Sequence, residues 1–408
     1  MKKIFSSSTY FVSSIGMVFF SAVAGAADWT HWRGADANGI SAESGWQTKW
    51  PAEGPKQLWK ASVGTGFSSM TISKGKIYTM GHDGTMTESV YCLDVDSGRV
   101  LWKKDYSAVL DPNLYEGGPN ATPTVEGGRV YTLGKRGELF CLDAEKGTVI
   151  WEKNINKEWS LSSPTWGLSC SPVLEGDLLI LNSGAAGIAV KKDTGELVWK
   201  SENNKPGYAT PLPVEFNGKK SVIVLAAKTL IGLSPADGKM LWEYPWKTSY
   251  DINAADPIFS EGKVFVSSGY DHGCAVVDVS GAQPKLVWEN KNLKNHFSSS
   301  LLWKGYLYGV DDDNNSHQFK CVSWDTGEVK WSEKFGRGSM MMADGKIIAL
   351  SEHGELYAID PSPEAFKPIS HAQVLGGKCW TTPVLSNGRI YCRNAKGDLV
   401  SLDVSAKY

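Results

Sequence analysis

The sequence has no basic runs. Its 42 Lys and Arg are scattered among 44 Asp and Glu, for a formal net charge of -2. Nucleic-acid recognition needs a clustered basic footprint, so that class of partner is excluded. Beyond the N-terminus no segment stays apolar for the about 20 residues that a spanning helix needs, and the chain is read as not membrane-spanning. No two cysteines are adjacent, and the absence of C-x-x-C-H excludes an attached c-type haem. The sequence also lacks G-x-S-x-G, G-x-x-x-x-G-K-[ST], the kinase motif set and H-E-x-x-H. No stretch carries apolar residues at a helical period of useful length.

What is present is a globular composition, 42% hydrophobic and 21% charged. The N-terminus places Lys2 and Lys3 before a short apolar run that Ser13 and Ser14 interrupt, then Ala24-Gly25-Ala26. Residues 1–26 are read as a secretory signal peptide cleaved after Ala26. No cysteine stands there to carry a lipid. The expected location is therefore exported and periplasmic, as a soluble chain.

One line recurs: CLDVDSGRVLW at 92–102, CLDAEKGTVIW at 141–151, AVKKDTGELVW at 189–199 and CVSWDTGEVKW at 321–331. Aligned on its last residue it gives Trp59, Trp102, Trp151, Trp199, Trp242, Trp288 and Trp331, a period of about 43–49 residues that points to a β-propeller. Two further units, ending near Ser370 and at Tyr408, lack the Trp and bring the count of blades to eight. Within 121–151, ATPTV, RVYTLG, ELFCLD and TVIW read as four strands separated by turns rich in Gly and charge. Four antiparallel strands make one blade. The repeated Trp is assigned a structural docking role, filling the gap between stacked blades. The Gly before it allows a turn with positive φ. The last unit runs out after three strands, so the unpaired strand PKQLW, 55–59, is expected to complete blade eight and close the ring.

Cys92, Cys141 and Cys321 occupy the position that Ala189 and Ala358 fill in other repeats. About the Asn387-Gly388 turn, Cys392 falls opposite Pro383 and out of bonding reach of Cys379. Buried, mostly free thiols are expected.

The line A/C-x-D-x-x-x-G-x-x-x-W, with SPV- or TPV-like inner strands and G-x-L-Y/F-A/C-L-D third strands, resembles the pyrrolo-quinoline quinone (PQQ) repeat. That repeat builds the eight-bladed propellers of quinoprotein alcohol dehydrogenases and of a non-enzymatic propeller lipoprotein of the outer-membrane β-barrel assembly machinery. The resemblance covers 55–408. Residues 27–54 form an N-terminal extension, and DWTHWRGADANGIS at 28–41 is similar to the opening of many exported PQQ-like propellers.

Topology places the residues that precede the inner strands around the channel mouth. These include Phe67, Asn120, Trp166, Tyr208, Asn253, His296, Phe297 and Trp380, a candidate ligand-binding set of aromatics and amides that suits a sugar, a peptide or a quinone. The other reading of the same residues is a plug. His82, His272, His317 and His353 fall in second turns near acids and are read as solvated, with no metal site. DDDNNSH, 311–317, lacks the Gly and Glu of a calcium loop and is read as an acidic hairpin tip.

The primary reading is a non-catalytic, monomeric binding or scaffold protein of the cell envelope. Its partner would be an envelope protein or a glycan, with no cofactor. The alternative that the resemblance implies is a quinoprotein oxidoreductase for alcohols or sugars, using PQQ and calcium. A hydrolase or lyase at the mouth is a third. The enzyme would need Asp251, Asp256 and Glu116, the acids near the mouth, to converge.

Overall fold

A computed structural model describes residues 28–203, 205–312 and 317–406. The signal peptide read over 1–26 lies outside these residues, as do 313–316 of the stretch read as an acidic tip. Asp311 and Asp312 of that stretch are buried, and Asp311 ends a strand and pairs with Lys320. Eight four-stranded antiparallel arrays follow one another along the chain, one of them extended by a short fifth strand. Blades one to seven occupy 71–107, 124–154, 173–200, 212–245, 258–290, 301–334 and 338–373. Blade eight takes Val384–Ser386, Arg389–Arg393 and Asp398–Asp403, and its outer strand is Lys56–Ser62. Lys56 pairs with Asp403 and Ser62 with Asp398, so the first strand of the ring closes it, as the sequence predicts. No helix among the described residues is long and apolar enough to cross a membrane.

The apolar core lies between blades. Clusters join blades one and two (Tyr78, Val90, Phe140), three and four (Ile180, Val222, Ile231), and five and six (Phe265, Val276, Leu307). The largest spans blades seven, eight and one and takes in Trp29 and Trp46 from the N-terminal extension. Outer strands alternate in exposure, as in Val100–Ser107. They cover the rim and leave the central strands buried on both faces.

The docking Trp residues work across blades. Each indole N–H donates to a carbonyl in the third turn of the next blade: Trp59 to Val95, Trp102 to Ala144 and Trp151 to Lys192, each at 3.0 Å. Trp199 reaches Pro235, Trp288 Trp324 and Trp331 Ser362 at 2.9, 2.8 and 2.7 Å. The turn glycine is also the platform for the incoming ring. At Gly147, φ is +68° and a Cβ would stand 2.5 Å from the Trp102 ring. Trp242 departs from the pattern: Pro284 stands where the next blade would supply that glycine, and its ring lies against Gly232 of its own blade. Across the strand pair most of these Trp face a small residue, among them Cys92, Cys141, Ala189 and Cys321, while Trp288 faces Val276. That explains these cysteines as space-saving positions. All seven cysteines are free and buried.

Candidate functional site

A ring of short polar side chains lines the central channel, one per blade, two residues ahead of the inner strands except in blade seven, where Ser339 lies in the strand itself. Each backbone N–H donates to the side chain of the next blade. Ser69 donates to Thr122 Oγ1 at 3.1 Å, Thr122 to Ser171 Oγ at 3.0 Å and Ser171 to Thr210 Oγ1 at 3.1 Å. Thr210 donates to Asp256 Oδ1 at 2.8 Å and Asp256 to Ser299 Oγ at 2.9 Å. On the closing side, the Ser69 hydroxyl donates to the Thr382 carbonyl at 2.9 Å. The chain of bonds breaks at blade seven. The buried Ser339 hydroxyl there has no hydrogen-bond partner, and neither has that of Ser298 beside it.

The mouth above this ring is aromatic. Trp380 lies between Phe67 and Phe297, with ring centroids 5.6 and 5.0 Å away and planes within 30° of parallel (29° and 28°). Tyr115 extends the row beyond Phe67 at 5.6 Å. His296 stacks on Phe297 at 3.8 Å and meets Tyr270 edge-on at 4.7 Å. Trp166 and Tyr208 form a second pair, 6.3 Å apart. These rings wall a cavity of about 340 Å³. Phe67, Asn120, Trp166, Tyr208, His296, Phe297 and Trp380 all line it, as the sequence places them. Asn253 does not. It is fully buried, with its amide donating to Ala226 and Ala227 carbonyls at 2.8 and 3.1 Å and its oxygen accepting from Ser268 at 2.7 Å. It braces the loop whose neighbours Ile252 and Ala254 reach the cavity. Leu114 and Tyr250 stand at the rim in left-handed backbone, 92% and 74% exposed.

Three cations sit over ring faces: Lys378 4.3 Å from the Trp380 centroid, Lys135 4.8 Å from Tyr115, and Arg337 5.4 Å from Trp380. Lys378 also pairs with Glu116 at 2.9 Å. Glu352 accepts from the Trp380 indole at 3.3 Å and from the Arg337 backbone N–H at 3.2 Å, which fixes the central ring of the row. Asp312 accepts from the backbone N–H groups of His296 and Phe297. Complete burial pushes its carboxyl up to about 7, against the pull of those bonds and of Arg337.

The N-terminal extension forms the floor. It runs round the far ends of the inner strands: Trp29 bridges Ile72 in blade one, and Thr30 accepts from Val125 in blade two. Arg33 donates to the Ser300 carbonyl of blade six at 2.9 Å, Ile40–Ser41 pairs with Met342–Ala343 of blade seven, and Glu43 accepts from Asn387 of blade eight. At the centre the Trp32 indole donates to Asp256 Oδ2 at 2.6 Å. The channel is therefore a cup closed below by Trp32.

The acids do not converge. Asp251 pairs with Lys228 at 3.5 Å and Glu116 with Lys378. Asp256 is the carboxylate lining the cup, and both its oxygens are occupied by Trp32, Thr210 and Ser299. Burial raises its carboxyl, with Arg33 at 4.0 Å opposing. A calcium-bound quinone needs carboxylate pairs and an amide oxygen around one ion; the described residues lining the cup do not provide that set. The histidines correct the sequence reading of solvated turns: His82 is buried in its strand, and its Nε2 lies 2.7 Å from the Ala108 carbonyl, while His272 and His317 are half-buried, with His272 Nε2 and His317 Nδ1 shut off from solvent. His272 meets Trp246 edge-on, and His353 is exposed.

Sequence reasoning missed Tyr115, Arg337, Trp32 and the hydroxyl ring. A signal for the ring was there: Ser69, Thr122, Ser171, Thr210, Ser299, Ser339 and Thr382 recur at one position of the repeat, with Asp256 as the exception.

A family profile described as outer membrane protein assembly factor BamB matches residues 86–333, more than half of the chain. Outer membrane protein assembly factor BamB of Burkholderia pseudomallei (strain K96243) is 23% identical over 352 residues, covering 80% of this chain and 82% of that one. Among solved structures, BamB from Moraxella catarrhalis superposes with a TM-score of 0.63 at 15% identity, over 86% of this chain and 98% of that one. A europium-containing methanol dehydrogenase superposes with a TM-score of 0.67 at 13% identity, over 92% and 89%. At these identities the structural likeness speaks for the fold alone.

Proposed function

The chain belongs to the family of outer membrane protein assembly factor BamB, and we propose that it is an exported, non-catalytic binding protein of the cell envelope with the aromatic cup as its ligand seat. The observation that carries this reading is the cup itself. Its rings wall a cavity of about 340 Å³ instead of packing it shut. Among the described residues, the carboxylate that lines it, Asp256, already serves the floor and the channel ring. Large rigid aromatics with a few polar groups make a binding surface at low cost in side-chain entropy.

The test is a pair of thermal melts. The first compares the purified protein with and without PQQ plus calcium. Anything that binds the native state alone raises its stability as RT ln(1 + [L]/Kd). We expect no shift; a shift of several degrees that requires both additives would turn the assignment to the dehydrogenase. The second replaces Trp166 and Trp380 by Ala. Ligand-induced stabilisation should vanish in this variant. A variant that still responds to ligand would place binding elsewhere.

A further inference from the structure

The break in the hydroxyl ring coincides with a cation, Arg337, that makes no ion pair among the described residues, although the buried Asp312 carboxyl lies near enough to feel its charge. Arg337 lines the cup, its guanidinium lying 5.4 Å from the Trp380 centroid and 5.8 Å from that of Phe297. Its Nε reaches only the Asp312 carbonyl, at 3.4 Å, and among the described residues no carboxylate lies within ion-pair distance of it. Two residues along, Ser339 is 2% exposed, and Ser298 on the adjoining blade is 9% exposed. Both residues line the cup, and their hydroxyl oxygens, buried behind its surface, have no hydrogen-bond partner. A buried hydroxyl left unpaired costs stability. Elsewhere the ring satisfies itself from blade to blade, so the two orphans and the unpaired guanidinium make one incomplete polar corner beside the stacked faces of Trp380 and Phe297.

Resting on the reading of the cup as a ligand seat, we propose that the ligand is an acidic saccharide, a pyranose ring bearing a carboxylate. The ring's C–H face lies on Trp380 and Phe297. The carboxylate meets Arg337, and ring hydroxyls complete Ser298 and Ser339. A guanidinium matches a carboxylate in two parallel bonds. The sugar's own hydroxyls supply donors and acceptors that a flat aromatic acid lacks, and Asn120 and Ser169 line the same cavity. A dianionic phosphate fits less well, because Asp256 faces the cavity from below.

Titration calorimetry on the purified protein decides it, with the galacturonic acid trimer, the neutral galactose trimer, galactose 6-phosphate and benzoate as probes. The uronic trimer should bind, and the other three at least tenfold more weakly. Arg337→Gln should weaken the uronic trimer by about tenfold or more, and Arg337→Lys by less, since it keeps charge but not the paired geometry. Ser298→Ala with Ser339→Ala should weaken it a few-fold while leaving the melt unchanged or higher. The proposal is overturned if the uronic trimer does not bind, if the neutral trimer or the phosphate binds as well, or if Arg337→Gln changes nothing. Binding of the neutral trimer that Trp380→Ala abolishes would sink the acidic assignment and leave the cup standing. Uronide binding indifferent to Trp166→Ala and Trp380→Ala would sink both.

Discussion

Arg393 in the last blade donates from Nη1 to the Ser68 carbonyl oxygen of the first blade at 2.7 Å. The same nitrogen meets the Met80 carbonyl at 2.7 Å and the Thr79 hydroxyl at 2.9 Å, and Nη2 meets the Gly64 carbonyl at 3.0 Å. The side chain is fully buried, and burial pushes its guanidinium down to about 9. Carbonyl dipoles, not a carboxylate, solvate it. The ring is thus closed twice, by a strand at its rim and by one cation nearer its axis.

Replacing Arg393 by Met removes a donor from four acceptors, three of them buried. The expected loss is about 3 kcal/mol in urea unfolding, with Lys intermediate. A loss below about 1 kcal/mol would mean that strand pairing alone holds the seam.

The indole platforms predict an ordered series. Trp102→Phe loses one hydrogen bond across blades and should cost about 1 kcal/mol plus the lost ring area. Trp242→Phe, which has no such bond to lose, should cost less. Gly147→Ala sets a methyl against the Trp102 ring at positive φ and should cost about 2 kcal/mol. Equal losses at Trp102 and Trp242 in denaturant titrations would contradict this account.

The floor makes a separate prediction. Trp32→Phe leaves the buried Asp256 carboxylate one donor short, and about 2 kcal/mol should be lost. In Asp256→Asn the same Trp32 change should cost less, because the charge is gone. A double-mutant cycle reads the difference. Additive changes would show that Trp32 fills space at the floor and does not serve the carboxylate.

The dependence on pH has a definite sign. Burial raises the carboxyl of Glu88 to about 7, although the Tyr106 hydroxyl hydrogen-bonds to it. A carboxyl raised on folding holds more protons folded than unfolded, so its contribution favours folding below its unfolded value near 4.5. That advantage is lost as pH rises through about 7. Glu88→Gln should flatten the fall in stability between about pH 5 and 8 and raise the melting temperature at pH 8. Parallel wild-type and variant profiles would remove Glu88 from the account.

The repeat made the propeller legible. A large ring every 43–49 residues or so, with Gly four places before it, has few other packings. Closure by the 55–59 strand followed from counting three strands in the last unit. The mouth was legible for a related reason: residues ahead of inner strands must reach the axis. Asn253 shows the limit. It stands one place earlier in the repeat than Phe67, Asn120, Tyr208, Phe297 and Trp380, where Ala254 takes the matching place, and its side chain turns inward to Trp246 and Ser268. Arg337 and Trp32 were hidden differently. Arg337 stands at the same place in the repeat as Phe67, Asn120, Tyr208, Phe297 and Trp380 but is neither aromatic nor an amide, and Trp32 reaches the axis from outside the repeat. His82 looked like a turn residue because sequence does not reveal that its strand extends one residue further into the core.

Closure by the first strand also sets an order of events. Lys56 emerges early, and its partner Asp403 comes at the far end of the chain. Until that end arrives, Lys56–Ser62 has no neighbour, the floor segment cannot reach Asn387, and the Ser68 carbonyl has no Arg393. Blades one to seven can form locally as each is completed, but the circle is a single late step across nearly the whole sequence. Contacts of such separation are slow to form. The open arc before it has a bare strand edge at each end, which makes the interval before closure the time at which this protein is exposed to mispairing with another copy of itself.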